Sequence, residues 1–70
     1  MQRLPVQSRA LKSVGYDTDG RLLELEFSSG SRYRYFDVPE FTYRALMHAK
    51  SKGQFFQTSI DGKFRFEEVK

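Results

Sequence analysis

The chain has 70 residues, a formal net charge of +3, seven phenylalanines and four tyrosines, and neither cysteine nor tryptophan. A chain of this length buries only about 60% of the surface its unfolded form exposes, which fits one small core and excludes a second domain within these residues. The absence of cysteine excludes a disulfide framework and a thiolate metal site, and neither a long apolar run nor the apolar core of a signal peptide is present, so the expected location is the cytoplasm, away from the membrane.

Residues 1–7 carry Pro5 and Gln7 with little periodicity and read as a loosely ordered lead-in to a single domain over residues 8–70. From Leu11 the pattern becomes strand-like. The runs LKSVGY, RLLELEF and SRYRYF are separated by DTDG and SSG, which predicts a three-stranded antiparallel β-meander. Ser28-Ser29-Gly30 suits a three-residue hairpin loop, a type I turn followed by a left-handed residue, with glycine at the left-handed place. That loop sets Phe27 opposite Ser31, Leu25 opposite Tyr33 and Leu23 opposite Tyr35. The alternate face then pairs Glu26 with Arg32 and Glu24 with Arg34. A two-residue turn would mix charge into both faces and lose the segregation that fixes register. Asp19-Gly20 suits a two-residue type I′ turn, and the opposite parity of Leu11 and Val14 calls for a bulge, placed at Gly15.

At YFDVPEF the period changes. Asp37 with Glu40 reads as a capping box, Pro39 fits the first turn, and Phe36 with Phe41 stands where a hydrophobic staple would sit, so a helix should start here. Its expected apolar stripe is Val38, Phe41, Ala45, Leu46 and Ala49, which leaves Tyr43, Arg44, Met47 and Lys50 toward the margins or the outer side. Ser51 with Gln54 predicts the N-terminus of a second, shorter helix that uses Phe55, Phe56 and Ile60 as contacts and stops near Gly62. The last stretch, KFRFEEVK, is expected to run extended along the sheet or the helices. The expected fold class is α+β: a three-stranded antiparallel meander packed on one face by two helices, with an extended C-terminal segment.

Charge is uneven along the chain. Between Phe41 and Phe66 lie Arg44, Lys50, Lys52, Lys63 and Arg65 against Asp61 alone, a local charge of +4, while the other residues hold seven basic and eight acidic groups. Clustered cations are what phosphate contacts require, so these five form the candidate nucleic-acid-binding set. A solvated surface is the plainer reading of any one of them. Tyr33 and Tyr35 fall on the face the helices must cover and read first as core. Their alternative is a stacking platform for a base. Arg32 and Arg34 lie on the opposite face, blunted by Glu26 and Glu24. Tyr43 and Met47, one turn apart, are the candidate protein-partner surface if the C-terminal stretch does not cover them.

For catalysis the sequence offers one histidine, His48, and serines outside any nucleophile-elbow pattern. Asp17-Thr18-Asp19-Gly20 starts like a calcium loop, but its glycine comes two positions early and no glutamate closes it, so a turn is the better reading. No phosphate-loop or dinucleotide fingerprint is present. The reading is a non-enzymatic binding module without cofactor or metal.

Taken together, Tyr33-Arg34-Tyr35, then Val38-Pro39, then Ser51-Lys52-Gly53 with Phe55-Phe56 resemble the KTSC domain, and the likeness runs from about Ser8 to Val69. That family is named for the C-terminus of some lysyl-tRNA synthetases and also occurs as a stand-alone bacterial protein. The resemblance implies no established activity. It suggests RNA, tRNA or single-stranded, as a partner, and no synthetase catalytic domain lies in these residues, so aminoacylation does not carry over. A protein partner is the alternative.

Overall fold

Segregation of charge and apolar residues fixes the central hairpin. The segments Leu22–Phe27 (β3) and Arg32–Tyr35 (β4) pair antiparallel with Leu23 opposite Tyr35, Glu24 opposite Arg34, Leu25 opposite Tyr33 and Glu26 opposite Arg32. The Phe27 amide donates to the Ser31 carbonyl at 2.8 Å, and Gly30 sits at φ 99°, the left-handed position the three-residue loop needs. Both features match the expected register.

The protein is described here, from a computed structural model, over residues 2–70. Ahead of the hairpin come Arg3–Pro5 (β1) and Leu11–Asp17 (β2); after it come helices Glu40–His48 (α1) and Lys52–Ser59 (α2), then Phe66–Val69 (β5). The fold is α+β, with two helices on an antiparallel sheet. That sheet has five strands in the order β1-β2-β3-β4-β5, not three. The two additions are its outer strands. Within the expected lead-in, Arg3, Leu4 and Pro5 pair with Gly15, Val14 and Ser13, while Met1 lies outside the described residues. The C-terminal stretch joins the sheet beside β4, with Tyr35 opposite Phe66 and Arg34 opposite Glu67.

Two local expectations are corrected. Asp17 pairs with Leu22, so the β2–β3 connection is a four-residue loop with Arg21 at φ 54° rather than a two-residue turn on Asp19-Gly20. The bulge falls between Leu11 and Ser13, not at Gly15. One extra residue, Lys12, lets Leu11 and Val14 share the core face despite their opposite parity.

The core lies between one sheet face and the helices: Leu11, Val14, Leu23, Leu25 and Tyr35 meet Val38, Leu46 and Ile60. Helix α2 begins as expected, with Ser51 Oγ accepting from the Gln54 amide at 3.2 Å. Helix α1 does not. Asp37 takes a left-handed φ of 57°, Pro39 is the N-cap without a side-chain bond, and the staple is absent because Phe36 lies under the Arg65 guanidinium while Phe41 is 74% exposed. The buried line is Val38, Thr42 and Leu46, flanked by half-buried Tyr43 and Met47, so Phe41 and Ala45 of the expected stripe point outward. Tyr16 explains the rotation. Its ring stacks on Tyr43 with centroids 4.8 Å apart and planes 8° from parallel, and its hydroxyl donates to the Val38 carbonyl. Burial, ahead of its charged neighbours, pushes the Tyr16 hydroxyl pKa up.

The other sheet face is ionic. Glu24, only 8% exposed, lies between Arg3 Nη1 at 2.9 Å and Arg34 Nη2 at 3.1 Å, and Arg34 also approaches Glu67 at 3.9 Å. Ser13 Oγ donates to Glu26 at 3.0 Å. Arg3 and Arg34 are thus taken up by Glu24, whereas Arg34 Nε is buried without a hydrogen-bond partner and Arg32, expected against Glu26, enters no ion pair among the described residues.

Candidate nucleic-acid interface

The connection between β1 and β2 runs past the start of α2 and leaves a cleft of about 520 Å³, walled on one side by Gln7, Ser8, Arg9 and Ala10 and on the other by Lys50, Ser51, Lys52 and Gly53. Each wall has a local cause. Ser8 Oγ accepts from the amides of Ala10 at 3.1 Å and Leu11 at 3.3 Å, which curls the connection. The Ser28 amide bonds the Ala10 carbonyl at 2.8 Å and Ser28 Oγ donates to the Arg9 carbonyl, tying that curl to the β3–β4 turn. On the facing wall, a Cβ at Gly53 would stand 2.9 Å from the Ala10 Cβ. Only glycine lets the two segments approach this closely.

Three cations line this cleft and no acidic residue does. Lys52 Nζ donates to the Ala49 carbonyl at 3.2 Å, which holds its ammonium at the head of the helix, while Lys50 and Arg9 are exposed. The amide end of α2 adds partial positive charge to the same side.

Of the five expected binding residues, Lys50 and Lys52 are therefore brought together, and the others lie apart from that cleft. Arg44 is held by Glu40, one turn earlier on α1, through Nη2 at 2.7 Å and Nε at 3.1 Å to the same oxygen. Arg65 stacks over Phe36 with its guanidinium carbon 4.9 Å from the ring centroid. Lys63 stands exposed in the turn before β5. Arg9 was missed because it stands between the lead-in and the first strand-like run, where nothing local sets it beside Lys50 and Lys52. Ser8, beside it in the chain, is the local signal of an ordered connection, whereas the tie to Ser28 is long-range.

A second cleft, of about 350 Å³, opens at the other end of α2, where Tyr33, Tyr35, Phe56 and Phe66 meet Phe27 and Asp61. Its rings touch one another. Phe56 packs edge-on against Phe27 at 5.2 Å and Tyr35 at 5.9 Å, and the tilted ring of Phe66 lies 5.7 Å from Tyr33 and 5.6 Å from Tyr35. Tyr35 is 4% exposed and belongs to the core, whereas Tyr33 is half-buried and Phe66 is 52% exposed. Burial first, then the Asp61 carboxylate and Tyr33, push the Tyr35 hydroxyl pKa up to about 12. Tyr43 and Met47 are in neither cleft; they pack against the core. His48 ends α1 exposed. Among the described residues no helix is long and apolar enough to cross a membrane.

Comparison with known proteins places the chain. A family model described as the KTSC domain matches residues 7–64. A crystallised KTSC domain protein from Yersinia pestis superposes with a TM-score of 0.96 at 43% identity, covering 99% of this chain and 97% of that one. An uncharacterised protein of Stutzerimonas stutzeri is 48% identical over 56 residues, 80% of this chain and 79% of its own length. A lysine-tRNA ligase of Nostoc punctiforme is 41% identical over 66 residues, which is 94% of this chain and 12% of the ligase. The match across more than half of the chain, with a near-complete structural superposition, means that this chain belongs to the KTSC domain family.

Proposed function

We propose that the protein is a non-enzymatic cytoplasmic module that binds RNA through the phosphate backbone, with Arg9, Lys50 and Lys52 as the contacts. The observation that carries this reading is the cleft at the head of α2, which gathers three cations and no acid. Phosphate binding asks for clustered positive charge and exposed amides, and this surface has the cations grouped from two distant parts of the chain. The 41% identity to a segment of a lysine-tRNA ligase supports RNA as the polyanion, since that enzyme's name places it with tRNA.

The salt dependence of binding to a single-stranded RNA tests it. Three phosphate contacts predict a slope of log K against log salt of about −2, and replacing Lys50 and Lys52 together by alanine should lower its magnitude by about 1.4. A slope near zero, or one unchanged by the double substitution, would rule this cleft out as the phosphate contact.

A further inference from the structure

The aromatic cleft lies outside that basic surface and has the opposite electrostatic character. Its lining contains no cation, and its carboxylate, Asp61, is exposed and takes part in no ion pair among the described residues. Helix α2 ends beside Asp61 with no basic residue in its last turn, so no side-chain cation of the helix offsets the negative end of its dipole, and Lys63, two residues past Asp61, lies outside the lining. Glu68 stands opposite Tyr33 on the same face of the sheet. Aromatic ring faces are themselves negative. In a chain of net charge +3, this is a spot built to attract a cation.

We propose that this cleft binds the guanidinium of an arginine side chain presented by a partner polypeptide. The ring geometry selects arginine over a rounder ammonium. With centroids 5.6–5.9 Å apart and planes 35–71° from one another, the rings of Tyr33, Tyr35, Phe56 and Phe66 rest on one another and present no parallel pair of walls, so they serve as a floor, not a cage. A flat guanidinium stacks on such a floor, over the exposed Phe66 and half-buried Tyr33, and turns its paired N–H groups toward the Asp61 carboxylate. The setting also suits a polypeptide source. Phe66 belongs to β5, an outer strand of the sheet, so an extended segment can add to the open edge and carry its arginine over the ring.

The test is an amide-shift titration of the labelled full chain with a short amidated peptide bearing one central arginine. The same peptide with neutral citrulline in its place is titrated in parallel, as is guanosine monophosphate. The arginine peptide should shift Ser31, Tyr33, Asp61 and Phe66, and the citrulline peptide should bind at least about fivefold more weakly. Asp61→Asn should lower arginine-peptide affinity about fivefold while leaving shifts at the basic cleft unchanged. Phe66→Ala, at an exposed position, should weaken it similarly with the fold intact. Equal binding of the citrulline peptide, indifference to Asp61→Asn, absence of any shift, or preferential binding of guanosine monophosphate would each overturn the assignment. None of these results depends on whether the basic cleft binds RNA.

Discussion

At its N-terminal end α2 shares a cleft with Arg9, Lys50 and Lys52, and at its C-terminal end it shares another with Tyr33, Phe66 and Asp61. The first is shaped by backbone: a glycine against an alanine methyl, and serine hydroxyls curling a connection. The second is shaped by packed rings. One short helix thus separates two surfaces of opposite sign, and the net charge describes neither. The difference also has an energetic side, because cations on a backbone-built rim add little to stability, whereas Tyr35 and Phe56 in the second cleft pack in or against the core and help to hold the domain together.

Phe56→Ala should therefore show the largest effect, a loss of about 3 kcal/mol in urea unfolding, because the ring supports both Phe27 and Tyr35. Lys50→Ala at the other end should stay within about 0.5 kcal/mol. Equal costs at the two ends would break the comparison. Gly53→Ala comes next. The gain in helix propensity, about 1 kcal/mol, is outweighed by the clash with Ala10, for a net loss of about 1 kcal/mol. Adding Ala10→Gly should remove that loss, and a double variant no better than the single one would show that the seam is not steric.

The effect that is absent at neutral pH is a titration. Tyr35 keeps its proton to about pH 12 in the folded chain against 10 for an ordinary tyrosine. The folded state then holds more protons than the unfolded one between those values, so stability falls as pH rises through that window and is unaffected below it. Besides Tyr16, whose hydroxyl pKa burial also raises, ultraviolet absorbance should find Tyr35 ionising late. Asp61→Asn should bring it earlier while leaving it above 10, since burial is the larger cause. No change would mean that Asp61 is not felt inside the aromatic cleft.

Legibility in the sequence follows the same division. The β3–β4 register was readable because Glu24, Glu26, Arg32 and Arg34 segregate from Leu23, Leu25, Tyr33 and Tyr35, so any slip mixes charge into the core. The Ser51 cap was readable because capping is local. The outer strands were less so: β1 reads as lead-in, and for the last stretch the extended form is readable but not its place beside β4. β1 has three residues and β5 four, mostly exposed, and strands held mainly by backbone pairing with a neighbour carry little side-chain alternation. The face of α1 was misjudged because Tyr16, far away in sequence, decides it by stacking on Tyr43. The basic cleft was half legible: Lys50 and Lys52 stand together in the chain, but Arg9 joins them only through a long-range approach that Gly53 permits. The cationic segment from Phe41 onward excludes Glu40, the carboxylate that holds Arg44 from one turn earlier.

The most direct test of the phosphate-binding claim is an amide-shift titration of the labelled chain with a single-stranded RNA at two salt concentrations. The predicted result is a cluster of shifts at Arg9, Ala10 and residues 50–53 that fades as salt rises. Absence of shifts at low salt, or shifts confined to Tyr33, Asp61 and Phe66, would contradict it.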